Sequence, residues 1–218
     1  MQGSTTPHAA SSASASATEA APEASGPPRV LILGTSITAG LGLDPEQAYP
    51  ARLQHIADSL GVRVRIVNAG LSGETSAGAL RRVDWLLNDP ASIVVVETGA
   101  NDGLRGLDPD TTAANIRAIA AKVKARMPSA RLVIAQMEAP PNFGERYTGK
   151  FRSIYPAVAK DVGAVLLPFL LDSVAGVPTL NQPDGIHPTA AGANIVARNV
   201  WRTLGPEIAR LDRNADGR

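Results

Sequence analysis

Beginning at Arg29, the chain alternates short apolar runs with longer segments of helical periodicity, and this alternation restricts its fold more than any other feature. Runs of three or four mostly apolar residues are typical of parallel strands that helices cover on both faces. Five such runs are present, at residues 30–33, 64–67, 93–96, 132–135 and 165–167. The sequence therefore predicts one sheet of five parallel strands.

The segments between the runs have the spacing of amphipathic helices. Leu53, Ile56, Ala57 and Leu60 follow the i, i+3, i+4, i+7 pattern, and Gly61 ends this helix. Three more helices are predicted on the same grounds: residues 75–87, a helix that Asp110 caps and that ends near Arg126, and residues 188–204 with Pro188 in the first turn. Together these elements predict an α/β fold, a three-layer α/β/α sandwich with a five-stranded parallel sheet and a flavodoxin-like architecture.

Composition argues against several classes of function. Lys and Arg number 21 and Asp and Glu 20, and only 4% of residues are aromatic, so we expect no nucleic-acid partner. The absence of cysteine excludes thiolate nucleophiles and disulfides. The three histidines, at positions 8, 55 and 187, lie far apart in sequence. We therefore predict neither a metal site nor a cofactor.

The first 28 residues differ in character from the rest. Residues 2–28 contain no aromatic residue and no aliphatic residue larger than Ala, so they cannot bury enough apolar surface to offset their chain entropy. We predict a disordered tether over residues 1–28, one domain over residues 29–211 and a flexible tail over residues 212–218.

No apolar run approaches the roughly 18 residues of a membrane span, and no signal-peptide apolar region is present. We interpret the tether as a segment that followed a removed signal or lipoprotein sequence. That interpretation would place the protein in the periplasm or attached to the cell envelope. An arbitrary tail is the alternative.

Ser36 is the first candidate for chemistry. Ligands of parallel α/β sheets bind at the carboxyl ends of the strands, and Ser36 follows the first run in a Gly-Thr-Ser-Ile turn that should open a helix. The spacing of a phosphate-binding Walker loop and that of a dinucleotide-binding loop both fail here. A serine in this position suits a nucleophile, although a turn or capping residue would look the same.

A serine nucleophile needs a base, and His187 is the candidate. His8 falls in the predicted tether, and His55 lies on the helix face opposite the apolar stripe. Asp184 precedes His187 by three residues, so a tight turn can bring its carboxylate to the imidazole and fix the tautomer. The alternative is an ordinary Asp-Gly turn followed by a histidine that caps a helix.

Acyl transfer also needs donors for the developing oxyanion, and two later loops offer them. Gly73 allows a backbone N–H to approach a substrate closely, and Asn101 offers a side-chain amide after a buried strand. Both are also common turn residues, so neither identifies the chemistry alone.

Taken together, four segments resemble the blocks of the SGNH, or GDSL, hydrolase family: residues 34–37, 68–75, 99–102 and 184–187. The resemblance spans roughly residues 29–207. It implies a catalytic triad of Ser36, Asp184 and His187, an oxyanion hole formed by Ser36, Gly73 and Asn101, and no cofactor. One position departs from the family pattern, because Thr35 stands where the first block usually has Asp.

The branch of bacterial arylesterases, thioesterases and lysophospholipases is the most similar subgroup, because two segments resemble those that flank its acyl pocket. These are residues 101–106 and residues 140–144, and the second lies in a loop that we predict over residues 139–150. This resemblance implies a serine esterase of the cell envelope that acts on small acyl or aryl esters, and also on acyl thioesters or lysophospholipids. Substrate contacts are expected from Thr35, Asn142, Phe143 and Ile186. A carbohydrate O-deacetylase and a catalytically idle binding module remain alternatives.

Overall fold

The computed structural model describes Met1 and residues 26–215. Most of the segment interpreted as a tether therefore lies outside the described residues. Five strands form one parallel sheet in the order β2-β1-β3-β4-β5. The strands are β1 Arg29–Gly34, β2 Arg65–Gly70, β3 Ile93–Val96, β4 Arg131–Ala135 and β5 Val165–Leu167. Each strand coincides with a predicted run to within one residue at its start, which confirms the five-stranded parallel sheet.

Helices connect the strands and cover the sheet. They are α1 Ser36–Ala39, α2 Tyr49–Ser59, α3 Ser76–Leu86, α4 Ala100–Leu104, α5 Pro109–Arg126, α6 Glu145–Val162 and α7 Ala190–Ala215. Short 3-10 helices cover Pro45–Gln47, Pro141–Phe143 and Pro178–Leu180.

Alternate residues of each central strand face opposite layers of helices. In β1, Leu31 and Leu33 pack in the cluster that α3 and α5 cover, whereas Val30 and Ile32 pack in the cluster that α2, α6 and α7 cover. Both clusters exclude water, which explains why the central strands read as continuous apolar runs. The edge strand β2 differs, since none of its six residues is fully buried. The three-layer prediction is confirmed.

The last helix differs from its prediction at both ends. It begins at Ala190 because Pro188 instead forms an antiparallel bridge with Asn181. It continues past Gly205-Pro206, where we expected it to stop, and reaches Ala215, four residues into the predicted flexible tail. Buried Ile208, together with an ion pair between Arg131 and the buried Glu207, holds this second half against the domain. Residues 216–218 lie outside the described residues.

Two smaller predictions are wrong. Asp108, not Asp110, caps α5: its carboxylate accepts the backbone N–H of Asp110 at 3.2 Å, and Pro109 takes the first helical position. The segment 139–150 was expected to be a loop, but α6 begins at Glu145. The positive φ of Gly144, +78°, turns the chain just before that helix.

Candidate active site

The turn that carries Ser36 follows β1 directly. Gly34 ends the strand, and a Cβ there would lie 2.0 Å from the Thr38 hydroxyl, so only glycine fits. Ser36 then begins α1, and Gly40, with φ of +75°, ends it after four residues. This sharp reversal places Ser36 at the carboxyl end of the sheet, where the residue is mostly buried and lines a cleft.

A buried carboxylate lies behind this turn. Glu97 follows β3, is fully buried, and accepts hydrogen bonds from the Thr35 N–H at 2.8 Å and from the Thr35 hydroxyl at 2.9 Å. The Thr38 hydroxyl donates to it at 2.7 Å and is itself 2.8 Å from the Tyr49 hydroxyl. Burial raises the pKa of Glu97, and these donors oppose the shift. Glu97 therefore ties together the residues on both sides of Ser36.

These contacts correct one sequence expectation. Thr35 is 1% exposed and its hydroxyl is directed to Glu97, so the prediction that Thr35 contacts substrate is wrong. In this chain the Thr35 hydroxyl takes the place of the usual Asp side chain. This hydroxyl donates a hydrogen bond to the buried Glu97 carboxylate, whereas a second carboxylate at the same position would repel it.

Replacing Glu97 should test this network. We expect Glu97→Ala to lower the free energy of unfolding by about 2–5 kcal/mol, because it leaves three buried hydrogen-bond donors without an acceptor. Glu97→Gln should cost less, about 1 kcal/mol, since the amide still accepts a bond from Thr35 and the threonine hydroxyls can rotate. Chemical denaturation measures both values. Glu46→Gln, on an exposed side chain, is the control and should stay within about 0.5 kcal/mol; equal, small losses for all three would contradict the network.

The second half of the site is the loop before α7. The Gln182 N–H donates to the His187 carbonyl at 2.7 Å, and the Gly185 N–H donates to the Gln182 carbonyl at 2.9 Å. Asp184 accepts the N–H groups of Ile186 and His187 at 2.9 and 3.0 Å. The loop is therefore closed on itself, and its conformation aims the Asp184 carboxylate at the imidazole.

Ser36, His187 and Asp184 form a continuous hydrogen-bonded array. Ser36 Oγ lies 2.8 Å from His187 Nε2, and His187 Nδ1 lies 2.6 Å from Asp184 Oδ2. Hydrogen bonds from the backbone and ring of His187 hold the pKa of Asp184 down, at about 2. An ionised carboxylate at Nδ1 fixes the proton there, which leaves Nε2 free to accept one from Ser36.

The structure also connects the two loops where we expected oxyanion donors. Gly73 has φ of +76°, which favours glycine, and it lies exposed in the loop between β2 and α3. Asn101 lies in the first turn of α4, and its amide donates to the carbonyl of Glu74, the neighbour of Gly73, at 3.0 Å. Asp102, which is buried, fixes the same two elements by accepting the N–H of Ser76 at 2.8 Å.

The structure places the other residues that were expected to contact substrate at the protein surface. Phe143 is 39% exposed and Ile186 is 41% exposed, while Asn142 also lies at the surface. Phe143 packs over Gly106, where an added Cβ would come within 2.7 Å of its ring. A small cleft opens beside Ser36 and His187, and its other lining is mostly apolar, as with Ile37, Leu41 and Leu43.

The remaining histidine within the described residues takes no part in the site. His55 is exposed on α2 and lies 3.7 Å from Glu46. In the part of the chain that the structure describes, no group of three or more His, Asp or Glu side chains could hold a metal ion. None of the described helices is long and apolar enough to span a bilayer.

Sequence reasoning missed two residues of the site. Glu97 could have been noticed, because a charged residue directly after the buried run Ile93–Val96 needs partners. Gln182 gave no such signal. Its amide donates to the Leu41 carbonyl at 2.7 Å and to the Pro188 carbonyl at 2.9 Å, which links the histidine loop to the segment after the nucleophile helix.

A Ser–His–Asp array in the loops at the carboxyl end of a parallel α/β sheet defines a serine hydrolase. The model of the GDSL-like lipase/acylhydrolase family matches residues 32–195. The chain belongs to this family and is a serine esterase, a carboxylic ester hydrolase. This confirms the resemblance that the four sequence blocks indicated.

Individual proteins of this family are similar to the chain over most of its length. Esterase TesA of Pseudomonas aeruginosa is 43% identical over 178 residues, covering 81% of this chain and 88% of that protein. Thioesterase 1/protease 1/lysophospholipase L1 of Escherichia coli (strain K12) is 38% identical over 180 residues, covering 82% and 84%. A crystal structure of TesA gives a TM-score of 0.78 at 42% identity and covers 82% of this chain and 98% of that one.

Proposed function

We propose that Ser36 is the nucleophile, His187 the general base and acid, and Asp184 the residue that orients the imidazole. Ser36 transfers its hydroxyl proton to His187 Nε2 as Oγ attacks the ester carbonyl. His187 then protonates the departing alcohol, which leaves an acyl group on Ser36. Water attacks this acyl-enzyme by the same route, with His187 again taking the proton.

The observation that carries this assignment is the unbroken array from Ser36 Oγ to Asp184, with distances of 2.8 and 2.6 Å. Both contacts are within the range that a nucleophile–base–orienter arrangement requires. The two chemical steps need no metal or organic cofactor, because the imidazole supplies and removes every proton.

The oxyanion hole is proposed to consist of the N–H groups of Ser36 and Gly73 and the side-chain amide of Asn101. Two features support this. The positive φ of Gly73 exposes its peptide group, and one N–H of the Asn101 amide is held by Glu74, so the other is oriented. Donors held in advance stabilise the tetrahedral oxygen without reorganising during the reaction.

The proposed substrates are small acyl and aryl esters, together with acyl thioesters or lysophospholipids. The mostly apolar lining of the cleft beside Ser36 and His187 supports an acyl group there. The exposed side chains of Phe143 and Ile186, together with Asn142, are the further substrate contacts that we propose. The names of the two relatives, esterase and thioesterase/lysophospholipase, support the same range.

A matched substrate panel tests this range. Hydrolysis of p-nitrophenyl esters of increasing chain length, acyl-CoA thioesters and acetylated sugars should be compared through kcat/KM on one preparation. We expect aryl esters and thioesters to be preferred. A clear preference for acetylated sugars would instead identify a carbohydrate O-deacetylase.

Replacing Asn101 distinguishes a catalytic role for this residue from a role in shaping the turn. We expect Asn101→Ala to lower kcat about 10²–10³-fold with little change in KM, because the lost donor binds the tetrahedral oxygen more strongly than the ground-state carbonyl. Kinetics and thermal unfolding on the same sample measure this. If activity fell only in step with the folded fraction, Asn101 would be a turn residue alone.

We further propose that the enzyme is exported and held at the cell envelope, with residues 1–28 as the tether. The Ala, Ser, Thr, Pro and Glu composition of that segment supports the proposal. Fractionation of cells that express the natural gene from its own start codon provides the test, and esterase confined to the cytoplasm would refute it.

A further inference from the structure

Arg82, on α3, contacts three segments that meet beneath the active site. Its Nε donates to Glu74 Oε1 at 2.6 Å, and its Nη2 donates to Glu74 Oε2 at 2.7 Å. The same Nη2 is 2.9 Å from the Ala69 carbonyl and 3.2 Å from the Gly34 carbonyl. One guanidinium therefore joins the end of β1, the end of β2 and the loop that follows β2.

Two of these contacts, those to Gly34 and Glu74, lie next to a group of the proposed catalytic machinery. Gly34 is two residues before Ser36, and Glu74 follows Gly73 directly. The Glu74 carbonyl also accepts the Asn101 amide at 3.0 Å. Ser36 and the two other proposed oxyanion donors, Gly73 and Asn101, come from three different segments. Arg82 contacts the first two of these segments directly and the third through Glu74.

The ion pair is well enclosed. The side chain of Glu74 is 5% exposed and that of Arg82 is 20% exposed. Gly78 leaves room for it, since a Cβ at that position would lie 2.8 Å from Glu74 Cγ. A planar guanidinium presents several donors in fixed directions, whereas a lysine ammonium is a compact charge on a flexible stem. Lysine can neutralise Glu74 but cannot hold the same three segments in register.

We propose that Arg82 is a positioning residue that sets the oxyanion loop relative to the nucleophile, acting through Glu74 and the Gly34 carbonyl. This inference rests on the proposed function, because it assumes that Gly73 and Asn101 bind the oxyanion. Small displacements of such donors are costly in rate, although they need not weaken substrate binding.

The first test is Arg82→Lys, which retains a positive charge for Glu74. We expect kcat to fall about 10- to 100-fold, while KM changes by less than about threefold. Arg81→Lys is the matched control, on an exposed neighbour in the same helix, and it should keep normal kinetics. An unchanged kcat in folded Arg82→Lys would overturn the proposal.

A double replacement separates positioning from simple stabilisation. Exchanging both Glu74 and Arg82 for Leu removes the enclosed charges together, which often leaves stability unharmed. If the pair only stabilised the fold, a double variant with the melting temperature of the wild type would also have the kcat of the wild type, and the proposal would be wrong. If Arg82 positions the oxyanion loop, kcat should stay low in the double variant even though the protein is stably folded.

A double-mutant cycle tests whether Arg82 acts through the oxyanion donors. It also tests the proposal if the double leucine variant does not fold. In an Asn101→Ala background, Arg82→Lys should lower kcat by a clearly smaller factor than it does in the wild-type background, because one of the donors that it positions is already gone. Full, multiplicative losses would overturn the proposal. Normal kcat in Asn101→Ala alone would instead refute the proposed oxyanion hole, so the two failures are distinguishable.

Discussion

His187→Ala should reduce kcat by about 10⁵–10⁶, the largest loss expected from any single replacement in this chain apart from that of Ser36 itself. Among the described residues, the imidazole of His187 is the one side chain that hydrogen-bonds to Ser36 Oγ, so its removal takes away the group that accepts this proton and protonates the leaving group. The protein should still fold, because His187 lies at the mouth of the site and its loop is also held by Gln182. Residual hydrolysis should reflect substrate binding and the oxyanion hole alone.

His55→Ala is the matched control for this prediction. His55 is the other histidine among the described residues, and it is exposed on α2. Its removal should leave kcat and KM unchanged. A folded His187→Ala enzyme that retains more than about 1% of the wild-type kcat would mean that another group serves as the base.

Asp184→Asn should reduce kcat by about 10⁴, as expected when the orienting carboxylate of such a triad becomes an amide. The amide oxygen can still accept the N–H groups of Ile186 and His187, so the loop should keep its shape. Its NH2 group would then donate to Nδ1 and force the ring proton onto Nε2, which could no longer accept one from Ser36. Asp161→Asn, on an exposed helical carboxylate, should have no effect on kcat.

The lowered pKa of Asp184 gives this prediction a pH dependence. Its carboxylate stays ionised down to about pH 2, so protonation of Asp184 should not contribute to the acid limb of kcat/KM. That limb should have a slope of one, as the assignment of Asp184 as an ionised orienting residue requires, because this carboxylate adds no second ionisation. Because the folded pKa lies below the ordinary value of 3.8, the stabilising effect of Asp184 is present above that value and is lost as pH falls toward 2. A slope of two in wild type would contradict the assignment.

The sequence was sufficient to predict the sheet, and it pointed to the three side chains that the structure joins in one hydrogen-bonded array, because both leave local patterns. Apolar runs mark strands that are buried on both faces, and Asp184 lies close enough to His187 in sequence for one turn to join them. The family blocks then linked Ser36 to that pair. Gly73 and Asn101 lie where the blocks implied, in neighbouring elements that a hydrogen bond through Glu74 connects.

The supporting contacts could not be predicted because they join distant parts of the chain. Glu97 meets Thr35 across 62 positions, Arg82 meets Gly34 across 48, and Gln182 meets Leu41 across 141. Neither spacing nor periodicity encodes such pairs. The error at Thr35 has the same origin, because only the folded structure shows that its hydroxyl is directed inward to a carboxylate rather than outward to a substrate.

The error at α7 reflects tertiary contacts that override local preference. Gly205 and Pro206 are strong local signals for the end of a helix. The helix nevertheless continues to Ala215, because Ile208 is fully buried and Glu207 pairs with Arg131 on β4. Contacts of this kind can offset the cost of a proline within a helix when the residues beyond it have a core to join.

Covalent labelling of Ser36 tests the central claim most directly. The wild-type enzyme should be treated with a fluorophosphonate while esterase activity is followed, and the modified peptide should then be identified by mass spectrometry. We predict one adduct per molecule, on Ser36, formed in parallel with the loss of activity, and neither adduct nor activity in Ser36→Ala. Inactivation with the adduct on another residue, or substantial hydrolysis by folded Ser36→Ala, would contradict the account.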